Sequence, residues 1–589
     1  MHNTIMSLCT LRLVFFATLT IAQTVFATSY SNPILPGFHP DPSCIRVEEW
    51  NNTYFCATSS FNAVPGVPVF ASKDLQHFKQ IGNVINRESQ LPGLSNTNGS
   101  TSGIWAPTIR YHDGTFWVVT TLVYDHLAAD DKSRWDNILF HTKNPYDESS
   151  WSDPVHFEFE GYDTSPFWDN SGKTYIVGGH AWRVQRMIKG WEMDYSTGAI
   201  IGGIHDLWAG MGGIAPEAPH LFHRDGWYYL MIAEGGTGLG HEVNFARSKD
   251  IWGPYDPDPS NPVLTAANTT NYFQTVGHAD IFNDSQGNWW TVALSTRSGP
   301  EYKYYPMGRE TILTTAKWEE GQFPTFTPVR GVENGPLPRI NTDVSGSGYW
   351  VGSDDHLNFA PHTSLPSHYV HNRWPDPSAY VISSKERPNT LRLTPSFYNL
   401  TGPDARTGTP QTFIGRRQEH IEFTYEVNLD FTSDTDGAEA GITVFLNQGQ
   451  HFDLGIVSLT DTSAKAAGYT GTGKGGSGVT QYIRLRAITA NSTNEGSVDP
   501  ISRTGIVALP RDARNFVKLS VKGVNHTTYE FKYSTQGSAW ITIGYGDSSQ
   551  VSGGFVGTIL GMFATGNGHN VSDPAYFSAL SYIGNDKVF

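Results

Sequence analysis

Along most of the chain, apolar and aromatic residues alternate with polar ones in short runs, and the runs are separated by Gly, Asn, Asp and Pro. A two-residue period belongs to half-buried strands, and no helical period of any length competes with it. One unit recurs. A polar turn followed by an aromatic-rich strand occurs as NNTYFCATS from Asn51, GTFWVVTT from Gly114, GKTYIVGG from Gly172, GWYYLMIA from Gly226 and GNWWTVAL from Gly287. Each opens on Gly or Asn, which suit a hairpin turn needing positive φ, and continues in residues that fit a pleated surface. The starts lie 63, 58, 54 and 61 residues apart, and this repeat predicts a five-bladed β-propeller.

Just upstream of each turn lies another short strand: DPSCIRV from Asp41, APTIRYH from Ala106, DTSPFWD from Asp163, EAPHLFH from Glu217 and HADIFND from His278. In a propeller the first strand of each blade lines the central channel. Asp41, Asp163, Glu217 and His278 are therefore expected to converge at equivalent places, with Ala106, preceded by Trp105, in the remaining one. After about residue 325 the repeat stops in a stretch containing Pro324, Gly335, Pro336 and Pro338. Further strand candidates from Phe423, Ala440, His451, Phe516 and Tyr529 predict a β-sandwich. The fold class is all-β, and the expected division is a leader at 1–27, a propeller at 28–336 and a sandwich at 337–589. The Gly-rich patch from Gly468 to Gly478 reads as a loop, because it lacks the Gly-Lys-Ser/Thr ending of a phosphate cradle.

Composition narrows the ligand. The 589 residues carry a formal charge of −16, with only 16% charged residues and 13% aromatic ones. Disorder, coiled coil and a nucleic-acid-binding surface all fit badly, since an acidic chain repels phosphate backbones. A neutral ligand such as a sugar, whose apolar faces lie on aromatic rings, fits better. Large β-cores also consume aromatics, and that reading stays open.

Residues 1–27 read as a secretory leader: Arg12, the apolar run from Leu13 to Ala17, and the exit Val25-Phe26-Ala27, with cleavage after Ala27. The chain is thus expected to be secreted, without a membrane anchor. Export removes Cys9 and leaves Cys44 and Cys56, which face each other about the turn at Glu49–Asn52. A cross-strand disulfide is expected; two unpaired buried thiols are the alternative. Eight Asn-x-Ser/Thr triplets begin at Asn51, Asn98, Asn268, Asn283, Asn399, Asn491, Asn525 and Asn570, and they agree with an exported glycoprotein.

Carboxylates at equivalent inner positions of three blades are costly, because neighbouring like charges resist joint ionisation and raise at least one pKa. Glycoside hydrolysis needs that arrangement: a carboxylate as base, a carboxylic acid as proton donor, and a neighbour that sets their pKa values apart. Taken singly, each acid reads equally as a strand-end group capping a turn.

At these residues the chain resembles glycoside hydrolase family 43, in particular its exo-acting β-xylosidases and α-L-arabinofuranosidases. The resemblance runs through NPILPGFHPDPSC from Asn32, SFNAVPGVPVFASKDL from Ser60, GIWAPTIRYHDGTFW from Gly103, GYDTSPFWDNSGKTY from Gly161, APEAPHLFHRDGWYYLMIAEGGTG from Ala215, GHADIF from Gly277 and PMGRETIL from Pro306. More loosely, FIGRRQEHIEFTYEVNLDF from Phe413 resembles the concanavalin-like jelly roll of two-domain members.

The resemblance implies Asp41 as general base, Glu217 as general acid, and Asp163 as the residue that orients the acid and raises its pKa. It implies inversion of configuration, which needs the two carboxyl groups roughly 6.5–9.5 Å apart. It further implies sugar contacts by Arg309 and an apolar glycone wall of Phe61 and Trp105. It also places His278 beneath the site, where some members have a histidine associated with calcium; the expectation here is a hydrogen-bonding histidine among the substrate-binding residues, with no cofactor required and a structural calcium as the alternative. The expected substrates are xylooligosaccharides, with arabinoxylan fragments as the alternative, and neither nucleic acid nor membrane is a partner. A retaining β-fructosidase lacks its Arg-Asp-Pro and Glu-Cys motifs here, and a sugar-binding lectin would not need three acids. The sandwich is expected to lend a loop to the channel mouth, with polysaccharide binding as its other possible role.

Overall fold

The five turn signatures all form hairpins in the computed structural model, which describes residues 28–402, 410–471, 478–489, 505–510, 516–536 and 538–585. The leader with Cys9, the triplet at Asn491 and most of the Gly-rich patch lie outside the described residues. At the hairpin tips Asn51, Asn52, Gly114, Gly172, Gly226 and Gly287 have positive φ, so the residue type that punctuates the sequence repeat is the one that its turns demand.

Five antiparallel sheets follow, with inner strands Ser43–Val47, Thr108–His112, Gly161–Trp168, Glu217–Arg224 and Phe273–Asn283. We number the blades I to V in that order. In blade III the order Gly161–Trp168, Thr174–His180, Ile188–Asp194, Ala199–Trp208 shows the simple meander. The N-terminal segment fastens the ring. Asn32 exchanges two hydrogen bonds with the Leu313 backbone in blade V, and Thr28–Ser31 pairs with Val332–Gly335. Cys44 and Cys56 stand opposite each other in blade I and are joined by a disulfide.

Beyond the propeller, two eight-stranded sheets pack face to face, as expected from the alternating pattern of strands such as Phe423–Asp430, whose every second residue is buried. The division of the chain is less clean than a cut at residue 336. Tyr349–Trp350 returns to pair with Gln80 and Lys79 at the outer edge of blade I. In exchange, Ala63–Val64 of the propeller pairs with Asn372 and His371 and extends a sandwich sheet. That sheet's outward residues Phe413, Phe445, Phe563 and Ile559 are buried in one cluster with Phe38 and Phe61 of the propeller. Backbones touch where the domains meet: a Cβ on Gly557 would lie 2.2 Å from the Met307 carbonyl oxygen, so only glycine fits there.

Candidate active site

Asp41, Asp163, Glu217, His278 and Arg309 come together at one end of the propeller channel. A repeated backbone device aims them. Asp163 and His278 sit in bulges where the inner strand slips register, and they have φ of 53° and 49°; Asp41, just before its strand, has φ of 54°. Asp and His tolerate this left-handed conformation better than most residues, and the bulge turns each side chain out of the pleat into the channel. In blade IV the bulged residue is Ala218, φ 52°, and Glu217 precedes it. Glu217 is therefore one position out of step with Asp41 and Asp163, a correction to the strict equivalence expected from the repeat. Its extra methylene lets it reach the same space, and its side chain is 14% exposed.

Asp41 is the fixed anion. Arg309 holds it with Nη1 to Oδ1 at 2.8 Å and Nη2 to Oδ2 at 3.3 Å, and the Ser59 hydroxyl donates to Oδ2. His278 Nδ1 lies 3.6 Å from Asp41 and 3.8 Å from Asp163, so this histidine belongs to the floor of the site itself. Burial alone would push the Asp41 pKa up. The Arg309 charge, His278 and the Ser59 hydrogen bond outweigh it and leave the carboxyl below its ordinary value.

Glu217 has the opposite environment. Burial first, and then the Asp41 charge, raise its pKa to about 7, against a Tyr162 hydroxyl that donates to Oε2 at 3.2 Å. Asp163 is raised too, by burial and then by Glu217 and Asp41. Repulsion is reciprocal, so an ionised Asp163 favours a protonated Glu217. Asp163 also accepts the Ala218 backbone N–H at 3.2 Å, which ties it to the residue next to the acid.

His241 is a site residue that the sequence pattern did not single out. It is fully buried, and burial lowers its pKa to about 3. Its Nδ1 lies 3.0 Å from the Thr275 carbonyl, which can only accept. The proton therefore sits on Nδ1, and Nε2 presents a lone pair 3.8 Å from Glu217 Oε1 with no other partner. A neutral acceptor facing the carboxyl suits its protonated form.

Phe61 and Trp105, with ring centroids 6.3 Å apart, form a wall that the sandwich completes. Phe555 lies 5.8 Å from Phe61 and 5.9 Å from Trp105, and its carbonyl accepts from Arg309 Nε at 3.1 Å. Thr237 accepts from Arg309 Nη1 at 3.0 Å. A separate cavity of about 630 Å³ lies between the domains behind Phe61, lined by Phe38, Asn62, Gln448 and Arg486 among others. It contains none of the three carboxylates of the channel.

A second tier of polar side chains lies below the carboxylates, one from each blade. Ser43 Oγ donates to Asp280 Oδ2 at 2.7 Å, and Arg110 bonds both Asp280 oxygens at 2.7 and 3.1 Å. Arg110 also donates to Ser43 Oγ at 3.1 Å and to His220 Nδ1 at 2.9 Å, and Ser165 reaches the same nitrogen at 3.0 Å. The signal for this tier lay in the repeat: Ser43, Ser165 and Asp280 each follow their channel residue by two, on the same face of the strand. Both oxygens of the carboxylate below His278 are engaged by the Arg110 guanidinium. Among the described residues no group of three or more His, Cys, Asp or Glu is arranged to hold a metal.

Comparison with known proteins finds relatives over both domains. Residues 30–324 match the profile of Glycosyl hydrolases family 43, and residues 357–583 that of the Beta xylosidase C-terminal Concanavalin A-like domain. The chain is 33% identical over 584 residues to a non-reducing end alpha-L-arabinofuranosidase of Bacteroides ovatus, covering 96% of each. It is 32% identical to a xylosidase/arabinosidase of Butyrivibrio fibrisolvens, covering 93% of this chain and 98% of the relative. Among solved structures, the xylan beta-1,4-xylosidase of Bacillus halodurans superposes with a TM-score of 0.79 at 26% identity, over 94% of this chain and all of the other.

Proposed function

The chain belongs to glycosyl hydrolases family 43 and is a glycoside hydrolase, and from that premise we propose that it removes single pentose units from the non-reducing ends of β-1,4-xylooligosaccharides with inversion of configuration. The observation that carries this reading is the opposed surroundings of two carboxyl groups in one channel: Arg309 and Ser59 bond Asp41, whereas the largely buried Glu217 has only the Tyr162 hydroxyl among the described residues. Asp41, held ionised by Arg309, takes a proton from water as that water attacks the anomeric carbon. Glu217, protonated up to about pH 7, gives its proton to the leaving oxygen. Asp163 anchors the backbone beside Glu217, and the two neighbouring carboxyl groups resist joint ionisation. Phe61, Trp105 and Phe555 pack into one apolar wall beside Arg309, which suits the face of a single sugar ring and so exo action.

α-L-Arabinofuranosides are the second substrate class, supported by the Bacteroides ovatus and Butyrivibrio relatives. Hydrolysis of paired aryl β-D-xylopyranoside and α-L-arabinofuranoside, followed by proton NMR of the anomer released, tests both readings. Cleavage of the xyloside with inversion, abolished in Glu217→Gln, is expected. Retention, or an active variant, rejects the mechanism. We also propose export directed by residues 1–27; the N-terminus of the mature protein, expected at Thr28, is read by mass spectrometry.

A further inference from the structure

We propose that Arg110 and Asp280 act as a positioning pair: they close the polar tier beneath the active site and fix the electrostatic field in which its carboxyl groups titrate. The tier draws one member from every blade, and hydrogen bonds join them: Ser43, Arg110, Ser165, His220 and Asp280. Three of these members, Ser43, Ser165 and Asp280, stand two residues beyond Asp41, Asp163 and His278, so a displacement in the tier is passed through two peptide units to a residue of the site. His220 stands in the same relation to the bulged Ala218, the residue after Glu217. The tier thus reaches all three acids through the backbone.

Charge makes the pair more than a clamp. Asp280 is fully buried and Arg110 nearly so, with 16% of its side chain exposed. Breaking a buried pair leaves an uncompensated charge in a medium that screens it poorly. The groups facing the pair are His220 within the tier, and His278, Asp41, Asp163, Glu217, His241 and Arg309 above it. Because Arg110 and Asp280 cancel, the upper groups respond chiefly to one another. Arg110 also donates to His220 Nδ1, which forces that nitrogen to accept and keeps the ring neutral. With opposite signs side by side, the lower tier carries no net charge beneath the site.

The proposal rests on the glycosidase reading and is tested through its pH profile. In Asp280→Asn the guanidinium remains charged at every accessible pH, while the anion is lost. A bare positive charge stabilises ionised carboxylates above it, so both limbs of the kcat/KM profile are expected to move to lower pH, by about half a unit or more. The double variant Arg110→Met/Asp280→Asn removes both charges and is expected to return the limbs to their original positions, even if the rate stays reduced. A purely structural role would lower the rate in both variants without moving the limbs. Unmoved limbs in Asp280→Asn, or limbs displaced as far in the double variant, overturn the proposal. Should Asp280→Asn fail to fold, Arg110→Lys keeps the charge and loses the fork; it is expected to hold the limbs while kcat falls, and a displaced limb there overturns the proposal. Wild-type protein inactive on both aryl pentosides would instead defeat the glycosidase reading.

Discussion

Arg309 reaches Asp41 but has no hydrogen bond to Glu217, and this asymmetry separates two carboxyl groups that share one channel. The consequence is a bell-shaped profile with assignable limbs. Activity that needs a protonated Glu217 falls as pH rises through about 7, whereas ionised Asp41 is lost only below the usual carboxylate range. Arg309→Met removes the compensating charge, so the acidic limb is expected to move to higher pH and kcat/KM to fall by about 100-fold. An acidic limb that stays in place would show that another group holds Asp41 ionised. His241 offers a subtler test. His241→Phe deletes the acceptor facing Glu217 and is expected to lower kcat about tenfold for alkyl xylosides, and less for nitrophenyl ones, whose leaving group needs little protonation. Equal losses on both substrates would place His241 in packing alone.

At the scale of elements, the blades were legible because their turns and aromatic strands repeat at a nearly constant spacing, and each copy obeys the same local physics. The inner strands were legible too: the repeat placed Asp41, Asp163, Glu217 and His278 at or beside their starts, and Arg309, which only the resemblance named, lies against Asp41. What the repeat concealed was the single-residue slip at Glu217: EAPHLFH aligns by eye with DTSPFWD, yet the bulge falls on Ala218 because His220, not Pro219, takes the paired place. His241 ends the Gly-rich connection between Glu234 and Glu242, where neither the turn nor the strand signature of the repeat marks it. Phe555 carried no signal at all. It follows Gly553 and Gly554 in a connection of the sandwich, some 250 residues from the Arg309 that its carbonyl binds, and only tertiary packing brings it to Phe61. Phe555→Ala is expected to raise KM for aryl xylosides about tenfold or more while leaving the pH limbs in place, since a ring of the glycone wall is lost but no charge changes. An unchanged KM would remove Phe555 from the sugar-binding wall.

On the scale of the whole molecule, the two domains share too much to act apart. Each lends a strand to the other, at Ala63–Val64 and at Tyr349–Trp350, and the active-site wall is assembled from both. A chain ending after residue 352 keeps the returning strand of blade I but uncovers Phe38 and Phe61, now buried against Phe413 and its neighbours. Apolar surface of that kind promotes association, and the loss of Phe555 frees Arg309 Nε. The truncated chain is therefore expected to aggregate or melt well below the full protein, and any soluble fraction to lose more than about tenfold in kcat/KM. Size-exclusion chromatography, a thermal melt and aryl xyloside hydrolysis on the two chains decide the matter. A soluble monomer with full activity would mean that the sandwich merely adjoins the site, and that Phe61 and Trp105 alone suffice to hold the sugar. Loss of activity in a truncated chain that still melts like the parent would assign the sandwich a role in the pocket separate from any role in stability.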